Sequence, residues 1–198
     1  MRTLFTFLLI GLLTGATAQE YFATYHLDYF DKEYEIQISD KTKYSLYINL
    51  PSMDTYNDNV GIIVSEKKHE DFLNALKAAK SKYIEWRKTA VDNDVADFRK
   101  EMKTSANVKG FFYSIDEWKF DYSVSLSFSF MVSKDGGKII LLVHTGELNS
   151  SSNEYIDHKG GVLAFESAEE IQAFIDLISV SAIEEWKKGP KTDDLFDD

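Results

Sequence analysis

The chain alternates between two hydrophobic periods, and the change from one to the other predicts the order of its strands and helices. Apolar and polar residues alternate over residues 33–39 and again over 44–48, on either side of a polar segment at 40–43. A period of two places alternate side chains on one face of a strand, so both segments are predicted to be half-buried strands joined by a turn. The short apolar run 60–65 is predicted to be a further strand.

After Glu66 the apolar spacing lengthens to that of one helical face, which predicts a long amphipathic helix. Its apolar stripe consists of Phe72, Leu73, Leu76, Ala79 and Tyr83. His69 lies in the first turn of this charged helix and is expected to face solvent. Asp94 is a candidate N-cap for a second, short helix. That helix would carry Val95, Phe98 and Met102.

The second half of the chain carries the clearest strand pattern. Every even position from 120 to 132 is apolar and the odd positions are rich in serine, which predicts an antiparallel strand with one packed and one hydrated face. Glycines in the segment 133–137 indicate a hairpin turn. Residues 139–143 are apolar throughout, so this strand is predicted to be central or covered on both faces, and 161–165 is predicted to be another strand.

The last helix has strong signals at both ends. Ser167 and Glu170 have the spacing of a capping box, and Gly189–Pro190 is typical of a helix end. The apolar stripe of this helix consists of Ile171, Phe174, Ile175, Ile178, Ala182 and Trp186. Packing of both helices on the apolar side of the sheet predicts a core that includes Leu76, Phe128, Phe130, Leu141, Ile175 and Ile178.

Together these elements predict an α+β fold, in which a mainly antiparallel sheet of about seven or eight strands carries two long amphipathic helices on one face. A single domain of this kind would span residues 19–190. The acidic segment 191–198 that follows has the composition of a disordered tail.

The two strand–helix units of the chain can also be aligned with each other. Residues 61–86 and 161–186 share 6 identities in 26 positions. An internal duplication would divide the domain into halves 19–104 and 105–190, each with the order ββββα, and would make a groove between the halves a natural ligand site. The alternative is that any two strand–helix units look alike at this level, and the sequence leaves both interpretations open.

Residues 1–18 have the three parts of a secretory signal peptide, namely a basic residue at Arg2, an apolar run over 4–13 and small residues up to Ala18. The alternative is a membrane anchor, but ten helical residues rise only about 15 Å against a hydrocarbon core of about 30 Å. Cleavage after Ala18 is therefore predicted. The remaining chain is expected to be exported to a periplasmic or extracellular location, without a stable membrane anchor.

The chain contains no cysteine, which excludes disulfides, thiolate chemistry and a lipid-modified cysteine. An exported protein without disulfides is typical of bacteria. The net charge of −11 becomes −12 when Arg2 is removed with the leader. Such a surface repels phosphate backbones and anionic lipids, which argues against nucleic-acid and membrane-surface partners. It either suits a cationic partner or serves only to keep the protein soluble.

No motif in the chain assigns a catalytic activity. The four histidines are scattered, and the chain has neither a metal-binding histidine pair nor a nucleophile motif such as GxSxG. The candidates for catalysis are His144, at the end of an apolar strand, and the adjacent pair Asp157 and His158. The polar loop 54–59 lacks the spacing of a calcium loop, so a turn is the favoured interpretation. No metal or other cofactor is predicted.

Exposed aromatic residues carry the functional prediction. Tyr56, in a polar loop, and Trp118 are the aromatic residues least explained by core packing, and Asp54 and Asp58 flank Tyr56. Aromatic rings with a polar tip stack on sugars and anchor protein partners. The sequence therefore favours a non-enzymatic binding or interaction module for a protein or glycan partner. The alternative is a hydrolase with a carboxylate or histidine site.

Overall fold

The computed structural model describes residues 19–39 and 42–189. The signal peptide predicted for 1–18, part of the turn at 40–43 and the tail predicted for 191–198 lie outside the described residues. Within them the chain forms an eight-stranded antiparallel sheet, a two-stranded ribbon and three helices. The predicted α+β fold is confirmed. In this part of the chain no helix combines the length and the apolar character needed to cross a membrane.

The elements follow one another in a simple order. In chain order they are β1 (Gln19–Leu27), β2 (Lys32–Ser39), β3 (Ser45–Asn49), β4 (Val60–Ser65), α1 (Glu66–Asp92), β5 (Phe98–Ser114), β6 (Glu117–Val132), β7 (Ile139–His144), β8 (Leu148–Asn149), β9 (Asp157–His158), β10 (Val162–Phe165), α2 (Ala168–Leu177) and α3 (Val180–Lys188). The large sheet has the order β1-β2-β3-β4-β5-β6-β7-β10, and each pair of neighbours is antiparallel. The short two-stranded ribbon β8–β9 is inserted in the chain between β7 and β10.

The main core lies between α1 and one face of the large sheet, which we call the inner face. Phe72, Leu76 and Tyr83 on α1 are fully buried there, together with alternate residues of the strands. The Tyr83 hydroxyl lies 2.9 Å from the carbonyl of Ile139 and 2.7 Å from that of Glu166, so it connects α1 to the start of β7 and the end of β10. All the core residues predicted above are buried, namely Leu76, Phe128, Phe130, Leu141, Ile175 and Ile178.

The short helix predicted after Asp94 is wrong, because β5 begins at Phe98 and continues to Ser114. Asp94 and Asp97 adopt positive φ angles of 49°, which turn the chain back toward the sheet after α1. Phe98 and Met102 are four residues apart, a spacing that fits one face of a helix and one face of a strand equally well. The boundary predicted between halves, at residue 104, also falls inside β5, and the duplication itself stays a prediction.

The predicted strand at 120–132 is confirmed as part of β6, but its two faces do not keep the predicted alternation throughout. Even positions from Val124 to Val132 are buried as expected, whereas Tyr122 is 62% exposed. β6 has one extra residue opposite Lys109, between the pairs Val108–Val124 and Gly110–Asp121, and this bulge shifts the pattern. Ser129, expected on the hydrated face, is buried.

Strand β7 is covered on both faces, as its continuous apolar run predicted. Leu141 belongs to the main core, while Ile140 and Leu142 are buried in a smaller cluster with Val162 and Ala164 of β10. The strand is not central, because only β10 lies between it and the edge of the sheet.

The predicted last helix is present as two pieces, α2 and α3. The capping box is confirmed, because the Ser167 Oγ accepts a hydrogen bond from the Glu170 backbone N–H at 3.0 Å and Glu170 Oε2 accepts one from the Glu166 N–H at 2.7 Å. The break follows Ile178, where the Ser179 Oγ accepts the Ala182 N–H at 3.2 Å and caps the start of α3.

His69 does not face solvent as expected, because it is almost completely buried. Its Nδ1 is hydrogen-bonded at 2.7 Å to the hydroxyl of Tyr44, the residue just before β3. Nε2 makes no hydrogen bond within the described residues. Burial lowers the pKa of the His69 imidazole, and the Ile178 carbonyl partly opposes this shift.

The buried imidazole of His69 predicts a loss of stability in acid. Its pKa is lower in the folded than in the unfolded chain, so the unfolded chain binds more protons as the pH falls below the ordinary histidine value of 6.5. The free energy of unfolding should therefore decrease in that range and be retained above it. Urea unfolding between about pH 5 and pH 8 is expected to show a smaller pH dependence in H69Q than in the parent protein.

The same decrease of unfolding free energy with acid in H69Q and in the parent protein would contradict this role of His69.

Candidate functional site

A groove of about 440 Å³ lies across β2, β3, β5 and β6, and its lining includes several side chains of the outer face, the face of the sheet opposite the main core. On β2, Ile36 and Ile38 are buried in the core, so the alternating Glu33, Glu35 and Gln37 lie on the opposite side and line the groove. The chain has other surface depressions of comparable volume. This one, which we call the outer groove, combines several aromatic rings with unpaired carboxylates.

The floor of the outer groove is aromatic and depends on a glycine. A Cβ atom at Gly61 would lie 2.3 Å from Cζ of Phe111 and 2.4 Å from the carbonyl oxygen of Ile48. Only a glycine at this position of β4 therefore leaves room for the Phe111 ring of β5. The Phe111 ring centroid lies 6.0 Å from that of Tyr47 and 5.6 Å from that of Trp118. These contacts hold three rings of different strands together along one side of the groove.

Trp118 is held in place by neighbouring aromatic rings, while much of its indole remains accessible to solvent. It pairs with Tyr113 across the β5–β6 hairpin, and its ring makes edge-to-face contacts with Tyr113 and Phe111 at 5.3 and 5.6 Å between centroids. Ile115 and Asp116 at the turn have positive φ angles of 52° and 59°, the geometry of a two-residue type I′ hairpin. The Trp118 side chain is nevertheless 49% exposed. It is therefore a positioned ring with an accessible surface.

Three carboxylates surround this aromatic floor. Glu33 and Glu35 come from β2 and Asp58 from the β3–β4 loop, and none makes a hydrogen bond or ion pair within the described residues. Lys32 is the cation in the lining, and its Nζ lies 5.5 Å from the centroid of the Tyr34 ring. Burial raises the pKa of Tyr34, and the negative charge of Asp58 adds to this shift. The outer groove thus carries more negative than positive charge.

The structure brings together two of the four predicted binding residues. Trp118 and Asp58 both line the outer groove, although they are far apart in sequence. Asp54 and Tyr56 lie in the same loop as Asp58 but outside the lining. Asp54 Oδ1 accepts the Tyr56 N–H at 3.0 Å, and the Tyr56 side chain is 98% exposed to solvent. The Asn57 side chain donates to the Tyr113 carbonyl and so fixes this loop against the β5–β6 hairpin.

His144 lies outside the groove lining, in a polar cluster that spans β5, β6 and β7. Its Nε2 accepts a hydrogen bond from Arg99 Nη2 at 3.0 Å and lies 3.5 Å from the Oγ of Ser129. Burial lowers the pKa of His144, the charge of Arg99 lowers it further, and Glu101 partly opposes both. This arrangement favours the neutral imidazole, with Nε2 occupied by the guanidinium.

His158 and Asp157 are adjacent in sequence but do not face each other. Asp157 is exposed, whereas His158 is buried and packs against the Phe112 ring at 5.5 Å between centroids. Nδ1 of His158 accepts the Gly160 N–H at 2.9 Å, which leaves Nε2 to donate to the Asn57 carbonyl at 3.2 Å. The imidazole therefore connects the segment before β10 to the β3–β4 loop.

No metal centre is formed by the described residues, among which no group of three or more histidine, aspartate and glutamate side chains could hold an ion. Two side-chain oxygen atoms of the loop 54–59 accept hydrogen bonds in turns instead. The Asn57 side chain accepts the Asn59 N–H at 3.1 Å, as Asp54 does from Tyr56.

Several groove residues were missed from the sequence, chiefly Glu33, Glu35, Tyr47 and Phe111. The polar side of the predicted strand 33–39 already contained the two glutamates, and their position opposite Ile36 was the available signal. The Phe111 ring could not be assigned in this way, because its place depends on the pairing of β4 with β5. The lining comes from both of the predicted halves, 19–104 and 105–190.

Comparison of the chain with protein-family models, with curated proteins and with solved structures gives no match. The functional argument therefore rests on the residues of this chain and on the geometry of the outer groove.

The close contact at Gly61 predicts that G61A destabilises the protein. The added methyl group would displace the Phe111 ring or the backbone of β3, and such overpacking costs about 1–3 kcal/mol. The free energy of unfolding in urea measures this effect. G137A is the matched control, because its Cβ would meet only the exposed Asp135 carboxylate, at 3.3 Å. Equal unfolding free energies for G61A and G137A would contradict the proposed packing.

Proposed function

We propose that this protein is an exported, non-enzymatic binding module that holds a protein or glycan partner in the outer groove. The observation that carries the proposal is the meeting of an accessible, positioned indole at Trp118 with the unpaired carboxylates of Glu33, Glu35 and Asp58 in one groove. Its volume of about 440 Å³ is within the usual range of ligand pockets, about 300–1,000 Å³.

The rigidity of the aromatic floor supports a binding role. Phe111 and Tyr113 already hold the Trp118 ring, so a partner would order few additional side-chain rotors on this side when it binds. Large aromatic side chains surrounded by polar groups are the usual energetic centres of binding surfaces. The groove also has polar groups on its rim that can fix the orientation of a ligand.

The alternative of a hydrolase is less well supported by the histidine geometry. His144 Nε2 already receives the Arg99 guanidinium, and both nitrogens of His158 are bonded to backbone groups. An imidazole in such contacts is poorly placed to transfer protons to a substrate. The hydrolase proposal would therefore depend on the carboxylates of the outer groove, and a substrate screen tests it directly.

The binding proposal predicts that W118A loses its partner without losing its fold. Removal of an interface tryptophan commonly weakens binding by about tenfold or more. Partner capture from a native extract and binding to a glycan array would be compared for the parent protein, W118A and Y155A. Tyr155 is 87% exposed and lies outside the groove lining, so Y155A is expected to bind as the parent does.

Unchanged binding in W118A, or the absence of any ligand from both the extract and the array, would contradict the binding proposal. Urea unfolding of W118A controls for loss of the fold. If the parent protein turns over a substrate and E33Q or E35Q does not, the hydrolase would be favoured instead.

Export predicts a defined mature N-terminus. Mass spectrometry of the protein recovered outside the cytoplasm of an expressing bacterium is expected to show a chain that begins at Gln19, because small residues up to Ala18 suit the signal peptidase. A chain that keeps residues 1–18 and sediments with membranes would show that this segment is an anchor.

A further inference from the structure

We infer that the ligand of the outer groove is a cationic peptide segment, rich in lysine or arginine and bound in an extended conformation. This inference rests on the proposed binding function and names the chemical class of its partner. It is carried by the charge of the groove, by the rings that lack a cation and by the spacing of the carboxylates on β2.

The charge of the groove favours a cation. Glu33, Glu35 and Asp58 have no hydrogen-bond or ion-pair partner within the described residues, and Lys32 is the cation of the lining. A ligand guanidinium or ammonium group can supply the missing charge-assisted hydrogen bonds. The whole chain has a net charge of −11, which would also steer a basic segment toward the protein.

The aromatic side chains of this protein show a recurrent contact that two rings of the groove lack. Lysine or arginine lies over the rings of Tyr29, Tyr44, Tyr83, Trp86 and Tyr122 outside the groove. Within the lining, Lys32 lies over the Tyr34 ring in the same way. Within the described residues no such cation lies over Trp118 or Tyr47, the two partly exposed rings of the groove floor. A ligand cation can therefore supply the contact that these two rings lack among the described residues.

The geometry of β2 favours an extended peptide over a single small cation. Glu33 and Glu35 lie on the same face of one strand, so their Cα atoms are separated by two strand residues, about 6.6 Å. Side chains on one face of an extended peptide repeat at this same distance. Alternate basic residues of a ligand can therefore meet Glu33 and Glu35 in turn, while a third reaches Asp58 or the Trp118 ring.

A neutral glycan fits the same site less well. It could stack on Trp118, but it would cover the carboxylates without offering them a positive charge, and desolvation of an uncompensated carboxylate is unfavourable. A basic peptide supplies both the contact with the ring and the compensating charge.

The test compares a short fluorescent peptide of alternating arginine and serine with a peptide of alternating glutamate and serine, by fluorescence anisotropy with the whole protein. Chito- and cello-oligosaccharides are titrated by calorimetry. The arginine peptide is expected to bind, and the glutamate peptide is not. Raising the salt from about 50 mM to about 500 mM should weaken binding severalfold, because screening reduces the attraction between exposed charges.

Matched double variants separate the groove from the general acidity of the protein. E33Q/E35Q is expected to weaken binding of the arginine peptide by about five- to tenfold, since two exposed ion pairs are lost. E70Q/E154Q removes the same charge from exposed positions on α1 and on the β8–β9 loop, outside the groove lining, and is expected to change the affinity by less than about twofold.

Equal weakening in the two double variants, or no binding of the arginine peptide, would overturn the inference. Oligosaccharide binding that W118A abolishes, without binding of the arginine peptide, would overturn the peptide inference and leave the proposed binding function standing. If neither probe binds and no partner is captured from the extract, both proposals fail.

Discussion

The structure depends on the burial of one face of α1 against the inner face of the sheet. The chain contains no cysteine, so this packing has no disulfide to supplement it. Phe72, Leu76 and Tyr83 are fully buried, and each such side chain contributes roughly 1.5–3 kcal/mol to stability. The Tyr83 hydroxyl adds contacts to the backbone at Ile139 and Glu166. Because the helices cover the inner face, the opposite face of the sheet is the one left to provide most of a binding surface.

The outer groove is a consequence of strand register. Gly61 lies opposite Phe111 in the β4–β5 pair, and the absence of a side chain at Gly61 lets the ring lie against the sheet. The Phe111 ring then contacts Tyr47 on one side and Trp118 on the other. A shift of one residue in this register would exchange the two faces and remove the aromatic floor. The residues of the site therefore depend on the same pairing that builds the sheet.

Most of the histidines lie in buried contacts within the fold, whereas the carboxylates of the outer groove are exposed to solvent. Three histidines, His69, His144 and His158, lie in buried or partly buried contacts with hydroxyl, guanidinium and backbone groups. The carboxylates of the outer groove, by contrast, are solvated and have no partner among the described residues. Burial lowers the pKa of His69 and of His144, so acid should destabilise the fold through these two imidazoles.

The sequence by itself determined most elements, the Ser167 cap and the core, because local periodicity and capping report which side of an element is apolar. It did not determine whether residues 98–102 form a helix or a strand, since apolar residues four positions apart fit one face of either element. Tyr122 was predicted to be packed, but the bulge that exposes it depends on the pairing of β6 with β5. His69 was predicted to face solvent, but its hydrogen-bond partner Tyr44 is distant in sequence. For the same reason Trp118 and Asp58 could be named singly, while their meeting with Glu33 and Glu35 in one groove required the tertiary structure.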